Sequence, residues 1–393
     1  MTPAARTEAA IELLDAIIVA ARDGGAAADT IIARYFAQRR YAGSKDRRAV
    51  RALVYDAIRT LGERPASGRA AMLALAAADA DLATTFNGSP HGPAPIAAGE
   101  PTARAGLAPA WVHDLLGRSG LDRAQIAALL DRAPLDIRVN ALMGTRDDAA
   151  ALFPDAEPLP GLDHGLRLAA DTPVERSPAF EGGLVEVQDA GSQLVTGVAQ
   201  AMPGMTVVDL CAGAGGKTLA LAAMMAGDGR IVATDTDRAR LQRLGPRADR
   251  AGVTIVETRL LDPGEEAAAV ADLRGAADVV VIDAPCSGTG TWRRNPEARW
   301  RLSAARLDRL VETQARLLDL GATLVKPGGA ITYIVCSLLD GEGADQAAAF
   351  LARHPGWQAE PPGIGAERGA GARLTPASDG TDGFFVARLR APW

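Results

Sequence analysis

The stretch DVVVIDAPCSGTGTWRRNPEARWR, residues 278–301, sets an acid (Asp283), a proline (Pro285) and a thiol (Cys286) directly after the apolar run Val279 to Ile282. Such a run reads as a buried strand, so the polar residues at its end face whatever lies beyond the sheet. Cysteine is scarce here: Cys211, Cys286 and Cys336 are the only three in the chain, and each follows a short apolar segment. A strand-end cysteine is either a small packed hydrophobe or, as its thiolate, a nucleophile. Cys286 and Cys336 fall at the ends of neighbouring strands if the sheet has the usual doubly wound order, and two thiols at one cleft mouth favour chemistry over packing.

A second stretch, DLCAGAGGKT, residues 209–218, is a Gly-rich turn entering a helical pattern. Its small residues Ala212, Gly213, Ala214, Gly215 and Gly216 let backbone N–H groups approach a ligand closely. It is not a G-x-x-x-x-G-K-[ST] phosphate loop, because Cys211 stands at the first glycine, nor G-x-G-x-x-G, because the last glycine falls on Thr218. Twenty residues past Gly215 the next strand ends in Asp235, the right place for a carboxylate that holds both ribose hydroxyls of a nucleoside. A ribose acid without a pyrophosphate fingerprint favours a cofactor lacking a diphosphate, and S-adenosylmethionine fits. A glycine turn that serves only the fold is the alternative. Lys217 stands out because only three of the 42 basic residues are lysines. A cation opposes the dipole at a helix start, so a compact charge directed at cofactor or substrate explains it better than capping.

These residues need a scaffold. From Gln188 onward the apolar segments MTVVDLCAG, RIVATD, VTIVET, ADVVVIDAP, GAITYIVCS and GFFVARLR alternate with helical ones. That alternation predicts an α/β catalytic domain over residues 188–393, a doubly wound, mostly parallel sheet covered on both faces, with ligands at the carboxyl ends of its strands. Residues 1–85 carry apolar side chains at three-and-four spacing (Ile11, Leu14, Ile17, Ile18; Ala49, Leu53, Ala57, Ile58) and predict an all-α domain. Residues 86–103, rich in Pro, Gly and Ala, read as a linker, and residues 104–187 as helices followed by a small α+β module.

Composition sets the outer bounds. A chain of 393 residues, 48% hydrophobic and 23% charged, is ordinary for a globular protein and argues against disorder. No C-x-x-C pair occurs and the four histidines lie away from the cysteines, so neither a metal site nor a disulfide framework is expected. No apolar run reaches the ~18 residues of a membrane span, and the amino-terminal segment carries acids in a helical pattern; the expectation is a soluble, cytoplasmic monomer with no membrane partner. The net charge of −6 weighs against nucleic acid until the charges are placed, because residues 34–64 hold nine basic side chains against three acidic ones. That run is either a face for RNA phosphates or a solvated helix surface.

Taken together, DAPCSGTGTWRRNPEARW, YIVCSLLDGEG, VQDAGSQLV, CAGAGGKT and GTDGFFVARL resemble the RsmB/Nop/Sun (Fmu) family of S-adenosylmethionine-dependent RNA cytosine-5 methyltransferases, over residues 138–390. The resemblance implies a class I methyltransferase-type sheet, S-adenosylmethionine as cofactor and RNA as partner, with small-subunit rRNA ahead of tRNA. It implies that Cys336 is the nucleophile, that Cys286 assists product release, and that Cys211 to Lys217, Asp235 and Asp283 line the pocket for cofactor and base. Residues 1–85 are similar to the NusB-like RNA-binding domain of bacterial members, which makes residues 104–187 a second RNA-binding module. Two departures stand out: Val335 precedes Cys336 where the family has threonine, and Arg259 stands near the place of an acid that would meet the adenine.

The chemistry asks for the same residue types. Carbon 5 of cytosine is a poor nucleophile until a thiolate adds at carbon 6, a step eased by an acid such as Asp283 at the ring nitrogen. Arg293, Arg294, Arg299 and Arg301 would then meet phosphates, with Trp292 and Trp300 stacking on bases or packing inside the fold. Two rivals stay in view: a nicotinamide oxidoreductase, weakened by the missing glycine, and a non-catalytic RNA-binding assembly factor, weakened by the two placed thiols.

Overall fold

Apolar side chains at three-and-four spacing form one buried stripe along α1 (Pro3–Asp23): Ala10, Leu13, Leu14, Ile17 and Ala21. The Thr2 hydroxyl caps this helix by accepting the Ala5 N–H at 3.2 Å, and Gly24 ends it at φ +74. Residues of α2 (Ala28–Gln38), α3 (Ser44–Thr60) and α4 (Gly68–Ala76) share its core. Only glycine fits where α4 begins, since a Cβ on Gly68 would lie 2.2 Å from the Ile11 carbonyl oxygen. The Gly68 N–H instead donates to Asp15 at 2.6 Å. No helix is long and apolar enough to cross a membrane.

The computed structural model describes residues 1–393 and divides into two compact units, residues 1–131 with 291–304 and residues 132–290 with 305–393. These are not the boundaries that composition suggests. Residues 86–103 form no helix or strand, yet Arg69 on α4 holds them by its ion pair with Glu100 and by bonds to the Ala94 and Pro95 carbonyls. Gly and Pro mark where a chain turns, not where its hydrogen bonds stop.

Residues 291–304 also overturn an expectation. Trp300 is 3% exposed in the helical core and Trp292 is fully buried, so both pack. Arg299 donates to the carbonyls of Ile58 at 2.5 Å and Leu61 at 2.6 Å, and also to Pro296. Arg301 donates to the carbonyls of Gly25 at 2.8 Å and Ala26 at 2.6 Å, while Glu297 accepts the Ala28 N–H at 3.0 Å. Helix ends leave backbone groups without partners, and this segment supplies them to α1, α2 and α3. Arg299 and Arg301 are therefore engaged with the ends of helices, and the two tryptophans take the packing role. The basic run divides as well. Arg39 pairs with Glu12 and stacks on Tyr35, Arg47 donates to the Ala42 carbonyl and Arg51 pairs with Asp29, whereas Arg40, Lys45 and Arg48 are exposed.

In the second unit a small antiparallel sheet comes first, with the order β2-β3-β1-β4 formed by β1 (Leu135–Val139), β2 (Glu157–Pro158), β3 (Gly165–Leu168) and β4 (Val185–Val187). The Asn140 side chain donates to the carbonyls of Gly183 and Ala251, and Asp136 accepts the Ala190 N–H, which tie this sheet to the chain that follows.

The large sheet carries the site. Its parallel strands are β5 (Thr206–Asp209), β6 (Arg230–Asp235), β7 (Val256–Leu260), β8 (Ala277–Asp283) and β9 (Val325–Val335), in the order β7-β6-β5-β8-β9. Three short strands come next, β10 (Gln358–Glu360), β11 (Ala366–Arg368) and β12 (Gly371–Leu374). The last, β13 (Phe384–Arg390), pairs antiparallel with β9, β10 and β12. Successive residues face opposite layers: Val207, Ile231, Val279, Val281 and Ile334 belong to one core, Val208, Val232, Val280, Ile282 and Tyr333 to the other. Both faces are covered, as the continuous apolar runs predict. Strand order reverses between β5 and β8, which opens a crevice at their carboxyl ends.

Arg299→Ala should lower the unfolding free energy of the helical unit by about 3 kcal/mol, because it strands buried carbonyls at the end of α3. Urea unfolding followed by far-ultraviolet circular dichroism reads this. A loss below about 0.5 kcal/mol would mean that the carbonyls are satisfied without Arg299.

Candidate active site

In the parallel pairing of β8 with β9, Asp283 lies opposite Ile334, so the chain beyond each strand emerges at the same edge. Cys286 and Cys336 meet there with their sulfurs 3.3 Å apart, both as free thiols. They border a cavity of about 550 Å³ together with Cys211, Asp235 and Asp283. The hydrogen bond to Cys336, then burial, then the charges of Cys336 and Glu342 push the Cys286 thiol well above its usual range. Burial, followed by the charges of Asp209, Asp283 and Asp235, does the same to Cys211.

Lys217 reaches Asp283 with its ammonium 2.7 Å from Oδ2. Burial opposes its charge, but Asp283, with smaller contributions from Cys336 and Asp209, raises Lys217 above the ordinary lysine value. A compact ammonium that serves an acid and a thiol explains why this position is lysine in a chain that otherwise uses arginine. Below it, Asp209 is fully buried at the end of β5 and accepts the Thr218 hydroxyl at 2.7 Å. Burial pushes Asp209 up to about 7, against that hydrogen bond.

The Gly-rich turn works through its backbone. Gly213 (φ +56) and Gly215 (φ +87) adopt conformations that other residues rarely take, and a Cβ on Gly215 would sit 2.6 Å from Leu244 Cγ. The Gly213 N–H donates to Asp235 Oδ2 at 2.8 Å and so orients that carboxylate at the cavity. Ala212, Gly213, Ala214, Gly215, Gly216 and Lys217 do not border the cavity themselves. Cys211, Asp235, Asp283, Cys286 and Cys336 do.

Other residues enter the site without having been singled out. Arg306, Leu310, Thr313 and Leu317 line one wall, at the spacing of one face of the helix Ala304–Leu324, which its apolar periodicity makes legible. Arg240, Leu261, Pro263 and Glu266 complete the rim. Arg259 turns away from the cavity to pair with Glu257 and Asp272, so apolar Leu261 and Pro263 hold the end of β7.

Sheet order, glycine turn and strand-end acids together define a class I methyltransferase-type domain. A family model described as 16S rRNA methyltransferase RsmB/F matches residues 198–390. Ribosomal RNA small subunit methyltransferase B of Xylella fastidiosa is 37% identical over 294 residues, 71% of this chain and 68% of that protein. The probable ribosomal RNA small subunit methyltransferase B of Synechocystis is 33% identical over 300 residues, 72% of this chain and 66% of that protein. A crystal structure of a methyltransferase homolog protein from Pyrococcus horikoshii superposes with a TM-score of 0.61 at 26% identity, covering 72% of this chain and 99% of that one. The chain belongs to the RsmB/F family. It spans about two thirds of the length of the curated relatives it matches.

The raised Asp209 carboxyl has a consequence for stability. Between the ordinary value of 3.8 and about 7 the folded protein keeps a proton that the unfolded chain has released, so stability falls as pH rises through that window. Asp209→Asn retains an acceptor for Thr218 without a titrating group and should flatten this part of the profile, read as urea midpoints across the window. Parallel profiles for wild type and variant would contradict the assignment.

Proposed function

We propose that this chain transfers a methyl group from S-adenosylmethionine to carbon 5 of a cytosine in RNA, most directly small-subunit rRNA, through a covalent adduct with Cys336. The observation that carries this reading is the pair of thiols in contact at the switch-point cavity, beside the Lys217–Asp283 ion pair. Family membership and the names of the matched relatives support the rRNA substrate.

The cavity suits the cofactor by the chemistry of its walls. Asp235 offers a carboxylate to ribose hydroxyls, the tight turn at Gly213 and Gly215 keeps side chains out of the way, and Leu261 and Pro263 give an apolar surface for a base. S-adenosylmethionine, when bound, supplies an electrophilic methyl group.

The residues of the chain divide the remaining work. The Cys336 thiolate adds to carbon 6 of cytosine, with the Lys217 ammonium as the nearby cation and the Cys286 S–H as hydrogen-bond donor. Asp283, bridged to Lys217, faces the ring nitrogen, passes it a proton drawn from the Lys217 ammonium as negative charge develops there, and takes that proton back as carbon 5 attacks the methyl group. Addition makes carbon 5 nucleophilic toward the methyl group. Once Cys336 sulfur is bonded to carbon, it is a neutral thioether and a weak acceptor, so the hydrogen bond and the charge by which Cys336 holds Cys286 protonated both fade. Cys286 then releases its proton to solvent, takes the carbon 5 proton, and the carbon–sulfur bond breaks with its electron pair returning to Cys336. The exposed Arg40, Lys45 and Arg48 of the helical unit would meet RNA phosphates, so neutralising all three should weaken RNA binding and flatten its salt dependence. An unchanged salt slope would return them to a solvated surface.

A denaturing gel separates the two thiols. With in vitro transcribed small-subunit rRNA and S-adenosylmethionine, Cys336→Ala should abolish methyl transfer and leave no covalent protein–RNA band. Cys286→Ala should accumulate that band, since the adduct forms and resolves slowly, and the double variant should lose it. The band in Cys336→Ala alone would swap the roles. Full activity in both single variants would end the covalent reading, and a band with tRNA but not rRNA transcripts would move the substrate.

A further inference from the structure

Both cysteines of the centre are followed by serine, Cys286–Ser287 beyond β8 and Cys336–Ser337 beyond β9. The two serine hydroxyls lie 3.1 Å apart and donate to one carboxylate oxygen, Oε2 of Glu342, at 2.5 and 2.6 Å. Oε1 of Glu342 accepts the Ser287 N–H at 2.8 Å and the Gln314 side-chain amide at 3.1 Å. Glu342 is fully buried, and all of these donors are neutral. A carboxylate is costly to bury without a cation, so a fold that needed only packing here would be served better by an apolar residue. Around it the same two turns are joined again: Thr289 Oγ1 accepts the Leu338 N–H at 2.9 Å and the Gly290 N–H donates to the Cys336 carbonyl at 3.0 Å, while the Tyr333 hydroxyl on β9 holds the Glu342 carbonyl at 2.5 Å.

We propose that Glu342 is the positioning residue of the two-thiol centre, the clamp that ties the turn carrying Cys286 to the turn carrying Cys336 and holds their sulfurs in contact. This rests on the reading of those thiols as the methyl-transfer centre. Glu342 does not border the cavity and acts through Ser287 and Ser337. Its charge has a second effect, adding to the hydrogen bond, burial and Cys336 charge that keep Cys286 protonated. Tyr333 and Cys336 also face that thiol, and Cys211 and Asp283, the latter paired with Lys217, border the same cavity. Glu342 is the acid among these groups that has no cation partner. One side chain thereby fixes the distance between the thiols and adds to the charge that keeps the waiting one protonated.

Two measurements on the full chain test this. Iodoacetamide labelling of Cys286, followed by peptide mass spectrometry, should be about tenfold faster near neutral pH in Glu342→Gln than in wild type, since the neutral amide no longer opposes the thiolate. A purely structural side chain would not move this rate in a folded variant. Labelling of Cys286 within about twofold of wild type, with near-ultraviolet circular dichroism intact, would overturn the proposal. Should Glu342→Gln fail to fold, Ser287→Ala and Ser337→Ala loosen the clamp and leave the carboxylate in place. With rRNA transcript and S-adenosylmethionine they should release the covalent band about tenfold more slowly than wild type, as misplaced resolving groups do. Wild-type release in both serine variants would equally overturn it. Absence of any band in Cys286→Ala would instead count against the proposed reaction, and the labelling comparison would still decide the role of Glu342.

Discussion

The parallel pairing of β8 with β9 is the contact on which the rest of the site depends. With Asp283 opposite Ile334, the thiols three and two residues further on arrive in van der Waals contact. A strand advances by ~3.3 Å per residue and alternates faces, so a slip of one residue would turn one thiol away and roughly double the separation. The register is protected by the core. Val279, Val280, Val281 and Ile282 of β8 and Ile331, Tyr333, Ile334 and Val335 of β9 are at most 1% exposed, and a slip would drive each of them into the wrong layer. The apolar run that announces the strand is thus also the device that aims the acid and the thiol at its end.

Charge beside the two thiols is set by groups on either side of them. Lys217 is the cation that the acids and the thiol share: it pairs with Asp283, and Cys336 and Asp209 add to its hold on a proton. Asp209, buried beneath, gains nothing comparable and is pushed up toward neutrality. On the other side Glu342 is held by neutral donors alone. The two sulfurs therefore sit between a paired cation and an unpaired acid, and chemically identical side chains acquire different surroundings.

The strand ends were legible because each is marked twice, by an apolar run and by a residue type that packing does not require. Asp235, Asp283, Cys286 and Cys336 all lie at the cavity for that reason, and Lys217 was visible through the scarcity of lysine. Other features leave no such mark. The strands β10 to β12 are three or four residues long in a tail rich in Gly and Pro, too short for periodicity to register. Arg299, Arg301 and Trp300 have the composition of an RNA-binding segment, but their partners are carbonyls and side chains more than 200 residues earlier in the chain. Nothing local distinguishes a buried arginine from an exposed one. Glu342 likewise looks like any acid in a turn, and its role depends on two serines that only the β8–β9 pairing brings together.

The central claim is that Cys336 attacks the base, and RNA carrying 5-fluorocytidine tests it most directly. Fluorine at carbon 5 cannot leave as a proton, so the adduct should persist in the wild-type protein and survive protease digestion. Peptide mass spectrometry of the cross-link should place the modified nucleotide on Cys336. A cross-link on Cys286, or none under conditions where unsubstituted RNA is methylated, would contradict the account.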